Sequence, residues 1–523
     1  MSIKWESIAH FQRILQREQG TIIKDWGGRL PVALVYPNGY DVAMSSLGFQ
    51  SIYALLNRIN EVVCERVVYG APGLTPEATS VHSLETQRSL EDFPVIAFSL
   101  SFEMDYLNAV QMIRLLGLPL ANKERDDTHP VLIAGGPAIT ANPLPLSTIL
   151  DAVVIGEGER VVPQLTRILA ETIAEGREIA LRTIADLPGV YVPSIHGPND
   201  DRPDMEPVER LRLDRLDDAP AHSVVLSPDT EFGDMYLIEI ARGCVRNCPF
   251  CLAGHVYKPH REHRLEDILA QAEEGLKYRQ RIGLISAAVS DYSRIDELAT
   301  ALREMGARIS VSSLRVRPIS ETLLRTLAES GTQTLTIAPE AGSQRLRRFI
   351  QKGVRDEDLF LAAELARKHD FRQIKLYFML GLPTETEDDV LDIAHLTAAL
   401  SQRFARQITV NVTPFVPKAH TPFERQAMLS EAEITSRLNL LQKALRRSGV
   451  SMKYDSPKAA TVQGILARGD RRVSLTLERL VGPSLRDWKR ASIAAGLDEA
   501  PYLSQHSPDE PLPWQNVLIS ASC

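Results

Sequence analysis

Residues 235–251, MYLIEIARGCVRNCPFC, decide how this chain is read. MYLIEIA is a continuous apolar run of strand-forming residues. It passes directly into a loop that carries Cys244, Cys248 and Cys251 in a C-x3-C-x2-C spacing. Three thiolates on one short loop can hold three irons of a cubane cluster, and with no fourth cysteine nearby one iron stays open for a ligand. An open metal position belongs to a catalytic site rather than a structural one. The alternative is a structural zinc completed by His255 or His260. A disulfide framework would spread its cysteines along the chain, whereas here three of the five fall within eight residues. Cys64 and Cys523 read as a buried thiol and a chain-end thiol.

Downstream of this strand, apolar runs alternate with helical patterns. GLISAAV, RISVSSLRV, TLTIAP, IKLYFMLGLP and ITVNVTPFVP complete a set of six strands, which predicts a partial (β/α)6 barrel over 231–425 with its chemistry at the carboxyl ends of the strands. Upstream, PVALVY, PVIAFSL, HPVLIAGG and AVVIG alternate with helical segments, which predicts a doubly wound α/β domain with a parallel sheet over 30–190. Residues 1–29 hold an amphipathic docking helix with Ile3, Trp5, Ile8, Phe11, Ile14 and Leu15 on its apolar side. Pro193, Pro198, Pro203, Pro207 and Pro220 mark 191–230 as a linker or an extended crossing segment. Beyond 425, Ser430 and Glu433 form a capping box ahead of Ile434, Leu438, Leu441 and Leu445, so 426–523 reads as mainly helical.

At 523 residues the chain has room for about three domains. Its 44% hydrophobic and 24% charged residues suit a globular protein and exclude a disordered or fibrous one. With 59 basic against 67 acidic residues the net charge is -8, which argues against nucleic acid or an anionic membrane as the main partner. No apolar run has membrane-spanning length and the start has no signal-peptide core, so the expectation is a cytoplasmic protein.

The cysteine motif, with Phe250 before its last Cys, resembles that of the radical S-adenosylmethionine (SAM) superfamily. The resemblance implies a single [4Fe-4S] cluster whose open iron chelates SAM, an external electron donor such as flavodoxin or ferredoxin, and a 5'-deoxyadenosyl radical that takes a hydrogen atom from the substrate. SAM contacts are then expected at the strand ends. They are Ser290 and Asp291 after the second strand, where SAAVSD departs from the family's usual Gly-Gly-Glu, Ser312 and Arg315 after the third, Glu340 and Ser343 after the fourth, and Gly381 in the fifth-strand Gly-Leu-Pro turn. Glu340 could equally complement a helix N-terminus, and Gly381 a plain turn. Arg347, Arg348 and Lys352 read as a solvated face, Arg468, Asp470, Arg471 and Arg472 as a surface ion-pair cluster. Lys418 and His420 could face substrate or close the barrel.

The first domain resembles the cobalamin-binding-like domain that precedes many radical SAM cores. Its matching positions are Ser45 and Ser46 in the first loop, Ser99 and Ser101 after the next strand, Gly135 and Gly136, and Gly156 and Glu157. No D-x-H-x-x-G stands in the first loop. Asp127-x-His129 has Leu132 in place of the glycine, so cobalamin, if bound, would be base-off without a protein ligand. Three functions follow from these resemblances: a radical SAM enzyme with or without cobalamin-dependent methylation, a methylthiotransferase acting on RNA or protein, and a non-catalytic metal- or cobalamin-binding protein. The methylthiotransferases carry three further N-terminal cysteines, and here that domain offers only Cys64.

Overall fold

In the computed structural model, which describes residues 5–197, 205–446 and 448–519, the chain forms two units. Ile3, Pro198, Pro203 and Cys523 lie outside the described residues.

The first unit takes residues up to Asp234 together with Ile465–Glu499 and the segment from Pro511. Its sheet has the order β2-β1-β3-β4-β5-β6, built from Leu30–Gly39, Val62–Gly70, Val95–Ser99, Val131–Gly135, Ala152–Val154 and Val190–Tyr191 as β1 to β6. Strands β1 to β5 are parallel and β6 is antiparallel to β5. Apolar runs announce β1, β3, β4 and β5 in the sequence but not β2, which carries Cys64-Glu65-Arg66 at its centre. These charges are buried because they are paired. Arg66 binds Glu18 at 2.7 Å and Glu85 at 2.6 Å, while Glu65 accepts from Trp26 Nε1 at 2.7 Å and from Ser83 at 2.5 Å. Helix Trp5–Arg17 docks as its spacing predicts, with Phe11 and Ile14 buried in a core that includes Val32, Val95 and Ile133. Cys64 is a fully buried thiol in the same core.

The proline-marked segment stays with this unit. Val208–Glu209 pairs with Val517–Leu518, and Leu211 bridges to Gly156. Residues from far along the chain also return here, where Asn142 Nδ2 donates to the Gly469 carbonyl at 2.8 Å and the Thr148 N–H to Ser474 Oγ at 3.1 Å. The region beyond 425 is therefore divided between the two units and is not a separate helical block.

The second unit, Met235–Gly464 with Ala500–Glu510, holds all six expected barrel strands. They are Tyr236–Glu239, Arg281–Ile285, Arg308–Val311, Thr334–Glu340, Gln373–Leu380 and Gln407–Pro414, labelled β7 to β12, and a seventh, Ser451–Tyr454 (β13), extends the sheet. All pair in parallel within two sheets, β9-β8-β7 and β10-β11-β12-β13. A single bridge, Leu314 to Ile337, links the two sheets, giving an open α/β barrel. Among the described residues no helix is long and apolar enough to cross a membrane.

Candidate active site

The cysteine loop leaves the carboxyl end of β7 through a short antiparallel pairing of Ala241–Arg242 with Arg261–Glu262. Gly243 makes the return possible: its φ is +82°, and a Cβ there would stand 2.5 Å from the Tyr257 carbonyl oxygen. Cys244 and Cys248 are buried, Cys251 is half-buried, and all three are free thiols. Burial pushes the Cys248 and Cys251 thiols up, and the nearby cation Lys352 opposes this at both. Arg315 donates from Nη2 to Cys244 Sγ at 3.1 Å, and the Arg246 N–H points to the same sulfur at 3.4 Å. Donors aimed at a thiolate stabilise its charge, so the loop suits ligation by ionised cysteines.

The donor set fits a cluster better than a zinc ion. His255 turns Nε2 to the Cys248 carbonyl at 3.2 Å and His260 turns its own to Glu262 at 3.1 Å. A cubane asks each thiolate to meet a different iron.

Around this loop the strand ends carry a ring of committed charges. Asp291, almost wholly buried, binds Arg315 Nε at 3.1 Å and Arg246 Nε at 3.4 Å, and Ser290 Oγ accepts the Arg315 N–H at 3.1 Å. These residues position the arginine that reaches Cys244. Ser312 stands exposed on the same side of the barrel. Glu340, at φ +70°, pairs with Lys352 at 2.8 Å. Ser343 caps the helix Gln344–Phe349 by accepting the Leu346 N–H at 3.1 Å, and it donates to Asp389 at 2.5 Å. Phe250 and Met379 each pack against a cluster that includes Ala341, Leu346 and Phe415.

The turn after β11 is held by a residue that the sequence reading passed over. Glu385 accepts from the Gly381 and Leu382 N–H groups at 2.7 and 3.1 Å and pairs with Arg437 at 2.9 Å. A glutamate four residues after a turn glycine was the available signal. Lys352, read as a solvated cation, instead faces Glu340, and Arg347 is fully buried, donating to the carbonyls of Ala341 and Gly342. Arg348 is exposed. Arg468 is buried rather than superficial, while Arg472 pairs with Asp470 at 2.7 Å as expected. His420, at φ +59°, is fixed by its N–H to Glu424 at 2.8 Å.

In the first unit the order of the sheet reverses between β1 and β3, the place where open α/β sheets bind ligands. Ser46 and Ser101 flank that point beside Tyr36, with Phe102 45% exposed. Ser45 donates to the Asp41 carbonyl at 2.7 Å, and Ser99 is half-buried at the end of β3. Farther along the sheet the glycines serve the chain's own packing. Gly135 ends β4; a Cβ on Gly136 would lie 2.5 Å from the Leu100 carbonyl oxygen, and one on Gly156 2.2 Å from that of Leu211. Glu157 is buried, accepting the Leu213 N–H at 2.7 Å. His129 sits before β4, at the amino end of the strand, bound to Asp126 at 2.8 Å.

Comparison with known proteins agrees with this geometry. The family described as "Radical SAM proteins, N-terminal" matches residues 48–193, and "Radical SAM superfamily" matches 238–397. An uncharacterized protein of Methanocaldococcus jannaschii is 33% identical over 462 residues, covering 87% of this chain and 92% of its own. A tRNA-2-methylthio-N(6)-dimethylallyladenosine synthase of Sulfurihydrogenibium is 24% identical over 39% of this chain and 48% of its own. Among solved structures, the cobalamin-dependent SAM radical enzyme OxsB with aqua-cobalamin and SAM aligns with a TM-score of 0.51 at 15% identity, over 83% of this chain and 60% of that longer chain.

Proposed function

From the premise that this chain belongs to the radical SAM superfamily and is an enzyme, we propose that Cys244, Cys248 and Cys251 hold its single [4Fe-4S] cluster, next to which SAM binds. When bound, such a cluster supplies one low-potential electron for reductive cleavage of SAM and hydrogen abstraction from a substrate. The observation that carries the reading is the buried three-cysteine loop at the end of β7 with Arg315 donating to Cys244. The chain's own residues hold the site in shape. Asp291 fixes Arg315 and Arg246, Lys352 neutralises Glu340 close to the thiols, and Glu385 clamps the turn at Gly381 where a flat ring can approach the backbone. The reductant in this reading is a flavodoxin or ferredoxin in the cytoplasm.

The test is anaerobic reconstitution followed by reduction in the presence of SAM. The expected result is about four irons per chain, 5'-deoxyadenosine as product, and loss of both in Cys248→Ala. A colourless protein with stoichiometric zinc would overturn the reading.

A cobalamin-dependent methylation is the second reading, favoured by the crevice at Ser46, Ser101 and Phe102 in the first unit. It requires base-off cobalamin to copurify or to bind with visible absorbance beyond the iron-sulfur band. A methylthiotransferase reading is favoured by the similarity to the tRNA-2-methylthio-N(6)-dimethylallyladenosine synthase, but Cys64 is fully buried and the first unit offers no set of cysteines for a second cluster.

A further inference from the structure

The barrel unit carries a second polar surface away from the cysteines. Along β11, Ile374, Leu376, Phe378 and Leu380 are fully buried, whereas Gln373, Lys375, Tyr377 and Met379 are half-buried. In a barrel with helices outside, the first set meets the helices and the second lines the interior. The parallel register carries the inner set sideways, with Thr336, Lys375 and Thr409 in one row and Tyr377, Asn411 and Lys453 in the next. Parallel barrels usually fill this space with branched apolar side chains. Here it is Thr, Lys, Tyr and Asn.

Two features of these rows point to a ligand. Lys375 is half-buried and leans toward the carboxyl end of its strand, with Nζ 5.1 Å from the Tyr377 ring centroid, and among the described residues it has no carboxylate partner; Lys453 is exposed on the edge strand. The carboxylates of this unit that could have served are committed elsewhere: Glu239 to Arg242, Asp291 to Arg246 and Arg315, Glu340 to Lys352, and Glu385 to Arg437. Asp455 accepts from Thr413 at 2.9 Å. Asn411 Oδ1 is buried without a hydrogen-bond partner. A partly desolvated ammonium one row from an unfilled acceptor is unfavourable unless something brings a negative charge and a donor to meet them.

We propose that these rows recognise the substrate, and that the substrate bears an oxyanion, a carboxylate or a phosphate, for Lys375 together with an N–H or O–H group for Asn411 Oδ1. This rests on the radical SAM reading. Met379, on the same inner face, packs against the same cluster as Phe250 of the cysteine loop, and about 13 Å of strand separates it from Lys375. The charged end of the substrate is thus anchored away from the cysteine loop, where its binding energy orients the carbon that reacts.

The experiment titrates inorganic phosphate and, separately, malonate into the reconstituted protein with calorimetric detection, and measures 5'-deoxyadenosine formation on the same wild-type preparation. One of the two anions is expected to bind, which identifies the type of oxyanion. Lys375→Met should weaken it about tenfold or more, and Lys375→Arg should keep it within about threefold. Lys453→Met, at the edge strand, tests the same surface if Lys375→Met does not fold, with an expected loss of about threefold. A wild-type protein that makes 5'-deoxyadenosine but binds neither anion, or whose anion binding is unchanged by these substitutions, overturns the site and leaves the enzyme reading standing. A wild-type protein that makes no 5'-deoxyadenosine overturns the reading on which the site rests.

Discussion

Arg315 reaches Cys244 Sγ only because Asp291 holds its Nε and Ser290 its backbone N–H. A cationic donor on a cluster sulfur favours the reduced, more negative form, so with a cluster bound at Cys244 as proposed this contact would tune its potential. Arg315→Gln should move the cluster's midpoint potential to more negative values in an EPR-monitored redox titration, and Asp291→Asn should do so less. An unchanged potential in both would show that the arginine leaves the sulfur when the cluster binds. In the first unit, Asp105 sits at 3% exposure with Asn38 Nδ2 donating to it at 2.9 Å. Burial, against that hydrogen bond and with help from Glu103, pushes its carboxyl up to about 7. The folded state therefore prefers the protonated acid. Asp105's contribution to stability is present below the ordinary aspartate range near pH 4 and is lost as the pH rises to about 7. Asp105→Asn should raise stability by about 1–3 kcal/mol at pH 8, with little change near pH 4, in thermal melts across that range.

Whether a strand could be read from the sequence depended on where its charges went. β1, β3, β4, β5 and the first six barrel strands are apolar runs or strict alternations, which only burial on one or both faces explains. β2 was missed because Glu65 and Arg66 interrupt it, and their partners Glu18, Glu85 and Trp26 are remote in sequence. β13 was missed because Ser-Met-Lys-Tyr is short and mostly exposed, an edge strand with no apolar face to announce it. The place of the cysteine loop at the end of β7 was legible, since its spacing and the strand before it are local information. Roles set by tertiary pairing were not: nothing in the sequence announces that Asp291 holds two arginines or that Ser343 donates to Asp389 while capping a helix. Gly342 lets the helix Glu387–Phe404 approach, since a Cβ there would lie 2.2 Å from the Ile393 nitrogen.

At the scale of the whole molecule, neither unit is a continuous stretch of chain. The first unit includes Trp514, 1% exposed, and the pairing of Val517–Leu518 with Val208–Glu209. Trp514→Ala should cost about 3–5 kcal/mol and loosen that unit, with Cys64 as an internal reporter of its opening. Faster reaction of Cys64 with a thiol reagent under native conditions is the expected result, and an unchanged rate would place Trp514 outside the cooperative core. The barrel unit draws in turn on Ala500–Glu510, whose Leu503 carbonyl accepts the Met428 N–H at 2.9 Å. This interleaving governs events on the ribosome. Nascent domains ordinarily finish in the order they emerge, but here the unit that begins first must wait through the synthesis of the entire barrel for the strand that completes it. A chain stalled or cleaved after residue 464 would hold nearly all of the barrel and an unfinished first unit.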